Sequence, residues 1–326
     1  MSKKNVSLKT IAAECGVSIM TVSRALRDSY GVSDKIKEKI RKKAIELGYM
    51  PNHVVQSMSK DEKPVIAVLI DSFNNLYFST LINELMKLLY EKNEYDFMFL
   101  YSKQFDNDVI KQCILQRIDL IVTHIEPDKE TCEMAKMNNI QIVFVGSSKL
   151  DYDMDIVSVD NQQGSVLAAK YLRNFHNSDK YVYIGVNYFL SEQRKKWFID
   201  ELKNSYEDDC DIKCFNADEE EIETLYSYIA DGYRSLFIYN DMLAYQVLDG
   251  LDKMAFDIRK AFPDLHLIGF DGLCEYIPGL KQITTIEIDF LEFATVTYDV
   301  ICNRLENERS ENQRIILPVK IHRRKV

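Results

Sequence analysis

From residue 64 onward, short apolar segments rich in β-branched and aromatic residues alternate with segments whose apolar residues have helical spacing. The first four apolar segments are PVIAVLI, DFMFLYS, DLIVTHI and IQIVFVG, and the helical spacing is clear in Leu81, Leu85 and Leu88. This alternation predicts parallel strands joined by helices in a doubly wound sheet. The pattern returns after Asn161 with YVYIGV, SLFIYN and HLIGF, which predicts an α/β body made of two such subdomains.

The composition is that of a globular protein. The chain has 326 residues, and no apolar run approaches the roughly 20 residues that a membrane span needs. The opening segment, MSKKNVSLKT, carries charge without an apolar stretch behind it, so we expect no secretory signal and a cytoplasmic location. Seven scattered cysteines suit reduced thiols better than a disulfide framework.

Charge is distributed unevenly along the chain. Residues 1–60 contain 12 lysines and arginines and 5 acidic residues, a net charge of +7. The remaining 266 residues contain 29 lysines and arginines and 46 acidic residues, a net charge of −17. A small basic head on a large acidic body is typical of a duplex-binding module attached to another domain, because neutralisation of phosphates supplies most nonspecific affinity for DNA.

The head begins with the pattern of two short helices joined by a tight turn. Leu8, Ile11 and Ala12 fall at helical spacing. Gly16 can adopt the left-handed conformation that ends a helix, and Ser18 can cap the next one. The sequence therefore predicts a helix-turn-helix at the start of the chain.

The second of these helices has distinct inner and outer faces. Val22, Ala25 and Leu26 would face inward. The residues left at least partly outward are Ile19, Met20, Thr21, Ser23 and Arg24. That face has the right size and chemistry to enter a major groove.

A third helix completes the predicted head. Ser33 would cap it and Gly48 would end it, and its predicted buried residues are Ile36, Ile40, Ala44 and Leu47. Any small helical bundle could show the same periodicity. The basic charge of the head and the residues that follow it favour the DNA-binding interpretation.

The segment LKTIAAECGVSIMTVSRAL, followed by GYMPNHVVQSM, resembles the head and hinge of the LacI/GalR family of transcriptional regulators. Later segments resemble family blocks in the expected order, among them VSVDNQQGSVLAAKYL, SLFIYNDMLAYQVL and HLIGFDG. The resemblance implies a helix-turn-helix head at residues 1–50, a hinge at 51–63 and a periplasmic-binding-protein-like body at 64–326.

The resemblance also implies how the body is divided. Its N-subdomain would comprise about residues 64–161 and 291–318, and its C-subdomain about 162–290 and 319–326. The chain would cross between them three times, near Asp160, Ile288 and Pro318.

Residues for DNA contact follow from the outer face of the second helix and from the resemblance. The predicted set is Ser18, Ile19, Met20, Thr21, Ser23, Arg24, Asn52, His53 and Met58. Asn52 can cap a short hinge helix that is too short to be stable alone. Family members insert a hinge leucine into the minor groove, and Met58 occupies that position here. A plain linker with incidental apolar residues is the alternative.

Ligands of doubly wound sheets bind beyond the carboxyl ends of the strands. The polar and aromatic residues predicted to bind an effector there are Asp71, Tyr77, Phe78, Ser147, Asp160, Arg194, Asn240 and Asp271, each similar to a family effector position or a neighbour of one. Asp and Asn also commonly cap strands and turns, and an aromatic pair that opens a helix is often simple core. Gly146 and Ser147 replace charged or aromatic residues of many members, which disfavours an anionic effector, although Arg194 keeps that option open.

No motif for nucleophilic catalysis or phosphate binding is present, and no metal-site spacing, so we expect no enzymatic activity, no cofactor and no metal. The predicted function is a dimeric repressor that binds a near-palindromic DNA operator and responds to a small metabolite such as a sugar. One alternative is a solute-binding protein of the transport type, which the basic head disfavours. Another is a regulator whose body answers to a protein partner.

Overall fold

The computed structural model describes residues 7–26, 30–47, 63–147, 154–174, 179–205, 210–273, 276, 283–306 and 311–323. The chain divides into two compact units, Met1–Lys63 and Pro64–Val326, called here the head and the body. The head is helical and the body contains two parallel-sheet α/β subdomains, so the predicted fold class is confirmed. In the parts of the chain that are described, no helix has the length and apolar character to cross a membrane.

The head consists of helices α1 (Leu8–Cys15), α2 (Ile19–Leu26) and α3 (Asp34–Glu46). α1 ends at Gly16, which has a φ of 68°, as the sequence predicts. Ser18 caps α2 as expected, because its Oγ accepts a hydrogen bond of 3.1 Å from the backbone N–H of Thr21. The core of the head contains Ile11, Val22 and Ile40, which are fully buried.

One core prediction for α3 is wrong. Ile36 is 38% exposed, whereas Ile40 and Ala44 are buried. Ile36 lies in the first turn of the helix, and periodicity alone does not show how far along the helix the core extends.

The body runs through strands and helices that alternate along the chain. Its strands are β1 (Val65–Ile70), β2 (Asp96–Tyr101), β3 (Leu120–Thr123), β4 (Gln141–Val145), β5 (Asp155–Val159), β6 (Lys180–Gly185), β7 (Asp211–Asn216), β8 (Ser235–Ile238), β9 (His266–Asp271), β10 (Thr284–Glu287), β11 (Arg314–Leu317) and β12 (Lys320–His322). Its helices are α4 (Leu76–Lys92), α5 (Asn107–Gln116), α6 (Lys129–Met137), α7 (Asn161–Arg173), α8 (Phe189–Ser205), α9 (Ile222–Ala230), α10 (Asp241–Ala255), α11 (Ile258–Ala261) and α12 (Phe290–Glu306).

These strands form two six-stranded sheets, which define two lobes. Lobe 1 has the strand order β11-β5-β4-β3-β1-β2, and all its pairings are parallel. Lobe 2 has the order β12-β10-β9-β8-β6-β7, and only β12 runs antiparallel to its neighbour. The chain passes between the sheets after β5, after β10 and after β11, so each lobe is built from discontinuous segments.

Burial explains why most strands could be recognised in the sequence. β1, β3, β4 and β6 are buried along nearly their whole length, as expected for parallel strands covered by helices on both faces. β2 differs, because it lies at the edge of lobe 1 and exposes Phe97, Phe99 and Tyr101. The apolar run DFMFLY therefore belongs to a strand with one open edge.

Helix α7 packs unusually close to the sheet of lobe 2. A Cβ atom at Gly164 would approach the Phe270 ring to 2.4 Å and 2.5 Å, closer than real Cβ atoms come. The absence of a side chain at Gly164 thus brings the start of α7 against the end of β9, where several of the predicted effector residues lie.

Candidate functional site

The predicted DNA-contacting side chains of α2 lie on one accessible face. Met20 is 61% exposed and Ile19 47%, and Ser18 and Arg24 are also exposed. Thr21 and Ser23 are half-buried, and Thr21 Oγ1 lies 2.8 Å from Ser18 Oγ. An exposed methionine and isoleucine beside an arginine provide apolar contact and a forked donor on one surface. Asn52, His53 and Met58 lie outside the described residues.

In lobe 1, the predicted effector residues follow neighbouring strands. Asp71 comes directly after β1, and His124 comes directly after β3. Asp71 Oδ1 and His124 Nε2 are 2.9 Å apart. Ser147 follows β4, and its Oγ accepts a hydrogen bond of 2.7 Å from Asn161 Nδ2.

Arg194 is the buried cation of lobe 2. Its side chain, from α8, is 4% exposed. Nε and Nη2 donate to Asn161 Oδ1 at 3.0 Å and 2.6 Å, and Nη1 donates to the backbone oxygen of Tyr239 at 2.6 Å. The guanidinium lies 3.4 Å from the centre of the Phe270 ring and 5.1 Å from that of Tyr239. The group is held rigidly, as a preorganised hydrogen-bond donor requires.

Asp271 faces this arginine from the end of β9. Its Oδ1 is 3.8 Å from Arg194 Nη1, and its backbone has a φ of 113°, a conformation that side chains other than glycine rarely adopt. Burial raises the pKa of Asp271 to about 8, against the opposing effect of Arg194. A strained, buried carboxyl beside a buried arginine is typical of a binding site.

A second buried acid supports this wall of lobe 2. Asp241 accepts hydrogen bonds from Thr285 Oγ1 at 2.8 Å and from the backbone N–H of Leu273 at 2.7 Å. Burial raises its pKa to about 7, although these hydrogen bonds favour the ionised form. Asp241 thus ties the start of α10 to the segment after β9.

Two of the predicted effector residues cap helices. Asp160 Oδ1 accepts a hydrogen bond of 2.7 Å from the backbone N–H of Gln163 at the start of α7. Asn240 Oδ1 accepts one of 2.8 Å from the backbone N–H of Leu243 at the start of α10. Each side chain therefore has a structural role at the start of a helix, and contact of either residue with an effector stays a prediction.

The predicted aromatic pair has two different environments. Tyr77 packs edge to face against Phe290, with ring centres 5.5 Å apart. Burial and the Asp271 carboxyl raise the pKa of Tyr77 while Arg194 lowers it, so Tyr77 of lobe 1 is electrostatically coupled to the wall of lobe 2. Phe78 is 1% exposed and lies against the ring of His124, at 3.8 Å between centres. Phe78 is therefore part of the core in this structure.

The site contains residues that the sequence analysis did not select. Asn161, Tyr239 and Phe270 hold Arg194, and His124 pairs with Asp71. Each of them lies within two residues of the carboxyl end of a strand, which is the signal that could have identified them. Together the described residues present donors, acceptors and aromatic faces at the carboxyl ends of two sheets, an arrangement that can bind a small polar molecule.

Comparisons with known proteins agree with this architecture. Residues 7–52 match the family model for bacterial regulatory proteins of the lacI family. The chain is 23% identical to the sucrose operon repressor of Pediococcus pentosaceus over 333 residues, covering 96% of this chain and 97% of that one.

Two solved structures share the fold. The lac repressor dimer bound to operator and the anti-inducer ONPF superposes with a TM-score of 0.71 at 18% identity, covering 99% of both chains. A LacI family regulator from Enterococcus faecium with bound ribose gives a TM-score of 0.68 at 20% identity, covering 80% of this chain and 97% of that chain. The head therefore carries a lacI-family domain, and a sucrose operon repressor and the lac repressor align with nearly the whole chain.

Proposed function

We propose that this protein is a homodimeric repressor whose affinity for a near-palindromic operator is controlled by a small polyhydroxylated metabolite, such as a sugar, bound between the two lobes of the body. The observation that carries the proposal is the buried pair of Arg194 and Asp271 in lobe 2, which Asn161 connects to Ser147 of lobe 1 by hydrogen bonds. A ligand that contacts both walls binds the closed arrangement more tightly than an open one, and so shifts the equilibrium between them.

The chemistry of the walls favours a neutral ligand with several hydroxyl groups. Arg194 supplies hydrogen-bond donors, Asp271 and Asp71 supply acceptors, and aromatic rings can cover the apolar face of a sugar ring. All three guanidinium nitrogens of Arg194 already donate to oxygens of the protein, which leaves few N–H groups for a strongly anionic ligand. The sucrose operon repressor and the ribose-bound regulator support the same ligand class.

The edge of lobe 1 supports the dimer. Phe97, Phe99 and Tyr101 alternate along β2 and are all exposed, and β2 has no neighbouring strand on its outer side in the described structure. An open edge with aromatic side chains tends to pair with another chain, since monomeric proteins usually protect such edges. A second copy of this protein is the occupant that we propose, and the lac repressor that shares the fold was solved as a dimer.

The function is tested by measuring two bindings on the full chain. Sucrose and D-ribose are titrated by calorimetry, and an operator selected from random DNA is titrated by fluorescence anisotropy with and without each sugar. We expect one of these sugars to bind and to change operator affinity at least about 5-fold, the lower range of allosteric coupling. Arg194→Ala and Asp271→Ala should remove the sugar effect and preserve operator binding.

The matched control is Lys253→Ala, which removes an exposed partner of Asp249 on α10 and should behave as the wild type. Sugar binding without any DNA binding would favour the solute-binding alternative. Operator binding that no sugar changes would favour control by a protein partner.

A further inference from the structure

His124 has one ring nitrogen with a partner and one without. Nε2 lies 2.9 Å from Asp71 Oδ1. Nδ1 is buried and has no hydrogen-bond partner among the residues that the structure describes. Buried polar atoms are nearly always satisfied, so an orphaned nitrogen at the carboxyl end of a parallel sheet requires an explanation.

The ring has little freedom to turn this nitrogen elsewhere. β1 pairs with β3 in the register Leu69 to Thr123, so Asp71 and His124 each lie directly after the end of one of two neighbouring strands. The backbone N–H of Ile125 donates 2.9 Å to Thr123 Oγ1, which fixes the turn around the histidine. The Phe78 ring covers one face of the imidazole.

These contacts define which nitrogen carries the proton. Burial lowers the pKa of His124, and the opposing effect of Asp71 is smaller, so the neutral form is favoured at pH 7. The Asp71 carboxylate can only accept a hydrogen bond, so the proton of the neutral ring is on Nε2. Nδ1 then has a lone pair and can only accept.

We propose that His124 selects the effector: its Nδ1 accepts a hydrogen bond from a hydroxyl or N–H group of the bound molecule, and Asp71 is the positioning residue that fixes the tautomer. This inference rests on the proposed function, and it specifies the ligand further, because the effector must present a donor to lobe 1. A site built around a hydrogen bond rejects analogues that lack it, here by about 10-fold to 100-fold, because the buried nitrogen is left unpaired.

The tautomer is tested first, without any ligand. Nitrogen NMR of the uniformly labelled full chain, with His124→Asn used to assign the signals, should show a neutral ring protonated at Nε2 at pH 7. Asp71→Asn should populate both tautomers, since an amide can donate as well as accept. An imidazolium, or a ring protonated at Nδ1, in the wild type would overturn the proposal.

The contact is tested next with D-ribose and sucrose as probes. For a sugar that binds the wild type, His124→Phe keeps the ring but removes the acceptor, and should weaken binding about 10-fold to 100-fold. His124→Asn keeps a polar group close to the position of Nδ1 and should weaken binding less, and thermal melting establishes that both variants are folded. The Nδ1 resonance of the wild type should move when the sugar binds.

The two ways of failing are distinguishable. If Arg194→Ala loses sugar binding while His124→Phe binds as the wild type does, the role of His124 is wrong and the proposed function stands. If neither sugar binds the wild type, the sugar class of the proposed function fails, and the tautomer measurement still decides whether Nδ1 is an acceptor.

Discussion

Asn161 accepts two hydrogen bonds from Arg194 through its single amide oxygen, and through its amide nitrogen it donates 2.7 Å to Ser147 of lobe 1. It stands at the first residue of α7, directly after the chain leaves β5. One side chain therefore connects lobe 1 to the buried cation of lobe 2, at a point where the chain passes between the sheets. The orientation of Arg194 depends on a residue that does not itself have to touch a ligand.

Asn161→Ala should destabilise the body and disorder Arg194. The substitution leaves buried N–H groups of a cation without their acceptor, so we expect the free energy of unfolding to fall by about 2–3 kcal/mol. Urea denaturation of the full chain measures this value. Asn240→Ala, which removes only a helix cap on α10, should cost about 1 kcal/mol. Equal losses in the two variants would show that the contacts of Asn161 stabilise the body no more than a single helix cap does.

The buried acids should make stability fall as pH rises. Asp241 and Asp271 have folded-state pKa values raised by burial to about 7 and about 8, above those of the unfolded chain. Between the pKa of an unfolded aspartate, about 4, and these folded-state values, the folded state binds more protons than the unfolded state. The stability that results is fully present below about pH 4 and is lost as pH rises through 7 and 8. Between pH 6 and pH 9 the loss should be roughly 1 kcal/mol or more for each group.

Asp241→Asn, which cannot ionise, should flatten this dependence even where it lowers stability overall. Denaturation midpoints of the wild type and the variant, measured across this pH range, provide the comparison. Parallel curves for the two proteins would mean that Asp241 ionises normally in the folded state.

The strands of the body could be predicted from the sequence because parallel strands buried on both faces are nearly continuous apolar runs. Edge and terminal strands such as β7, with its DIKCFN sequence, and the short β12 were not predicted, because half-exposed strands lack that signature. The turn at Gly16 and the cap at Ser18 were predicted, since both are decided by neighbouring residues.

The site was predicted less completely because its decisive contacts are long-range. Asn161 and Arg194 are 33 residues apart, and Asp71 and His124 are 53 residues apart. Local patterns indicate that a residue follows a strand, but they do not indicate which side chain it will meet. The same local patterns cannot distinguish a helix cap from a ligand-binding residue, as Asp160 illustrates.

Removing one partner of a buried ion pair in lobe 1 should destabilise the fold far more than replacing both partners. Arg304 Nε and Nη2 donate to the two carboxylate oxygens of Asp155 at 2.7 Å each, and both side chains are almost fully buried. Asp155→Ala leaves a buried cation without its carboxylate partner and should lower the free energy of unfolding by about 3–5 kcal/mol. The double variant Asp155→Leu with Arg304→Met should lose much less, as measured by denaturation. A double variant as unstable as the single one would contradict this.

The exposed edge of lobe 1 should control the oligomeric state. Tyr101 is 62% exposed on β2, and Tyr101→Glu places a charge where a second copy would pair. We expect sedimentation to show a monomer at concentrations where the wild type is a dimer, and operator affinity to fall because a monomer contacts one half-site. Met137→Glu, on α6 next to β4, places the same charge at an exposed residue away from this edge, and this variant should remain dimeric. A dimeric Tyr101→Glu protein would place the interface elsewhere.

The exposed face of α2 should divide into residues that read bases and residues that only contribute charge. Arg24 is exposed beside Met20, and its forked donor group can bond to O6 and N7 of guanine, whereas Met20 offers only apolar contact, for example to a thymine methyl. Arg24→Ala should therefore cost about 1–3 kcal/mol of discrimination at one base pair and leave the other positions unchanged, as measured by anisotropy on a set of single-base operator variants. The matched control is Lys42→Ala, which removes an exposed cation of α3. Any loss of DNA affinity in this variant should be the same for all sequences, and the log–log slope of affinity against salt concentration should fall by at most about 1. If Arg24→Ala weakened every sequence equally, Arg24 would be a phosphate contact, and sequence reading would lie with other residues of the head.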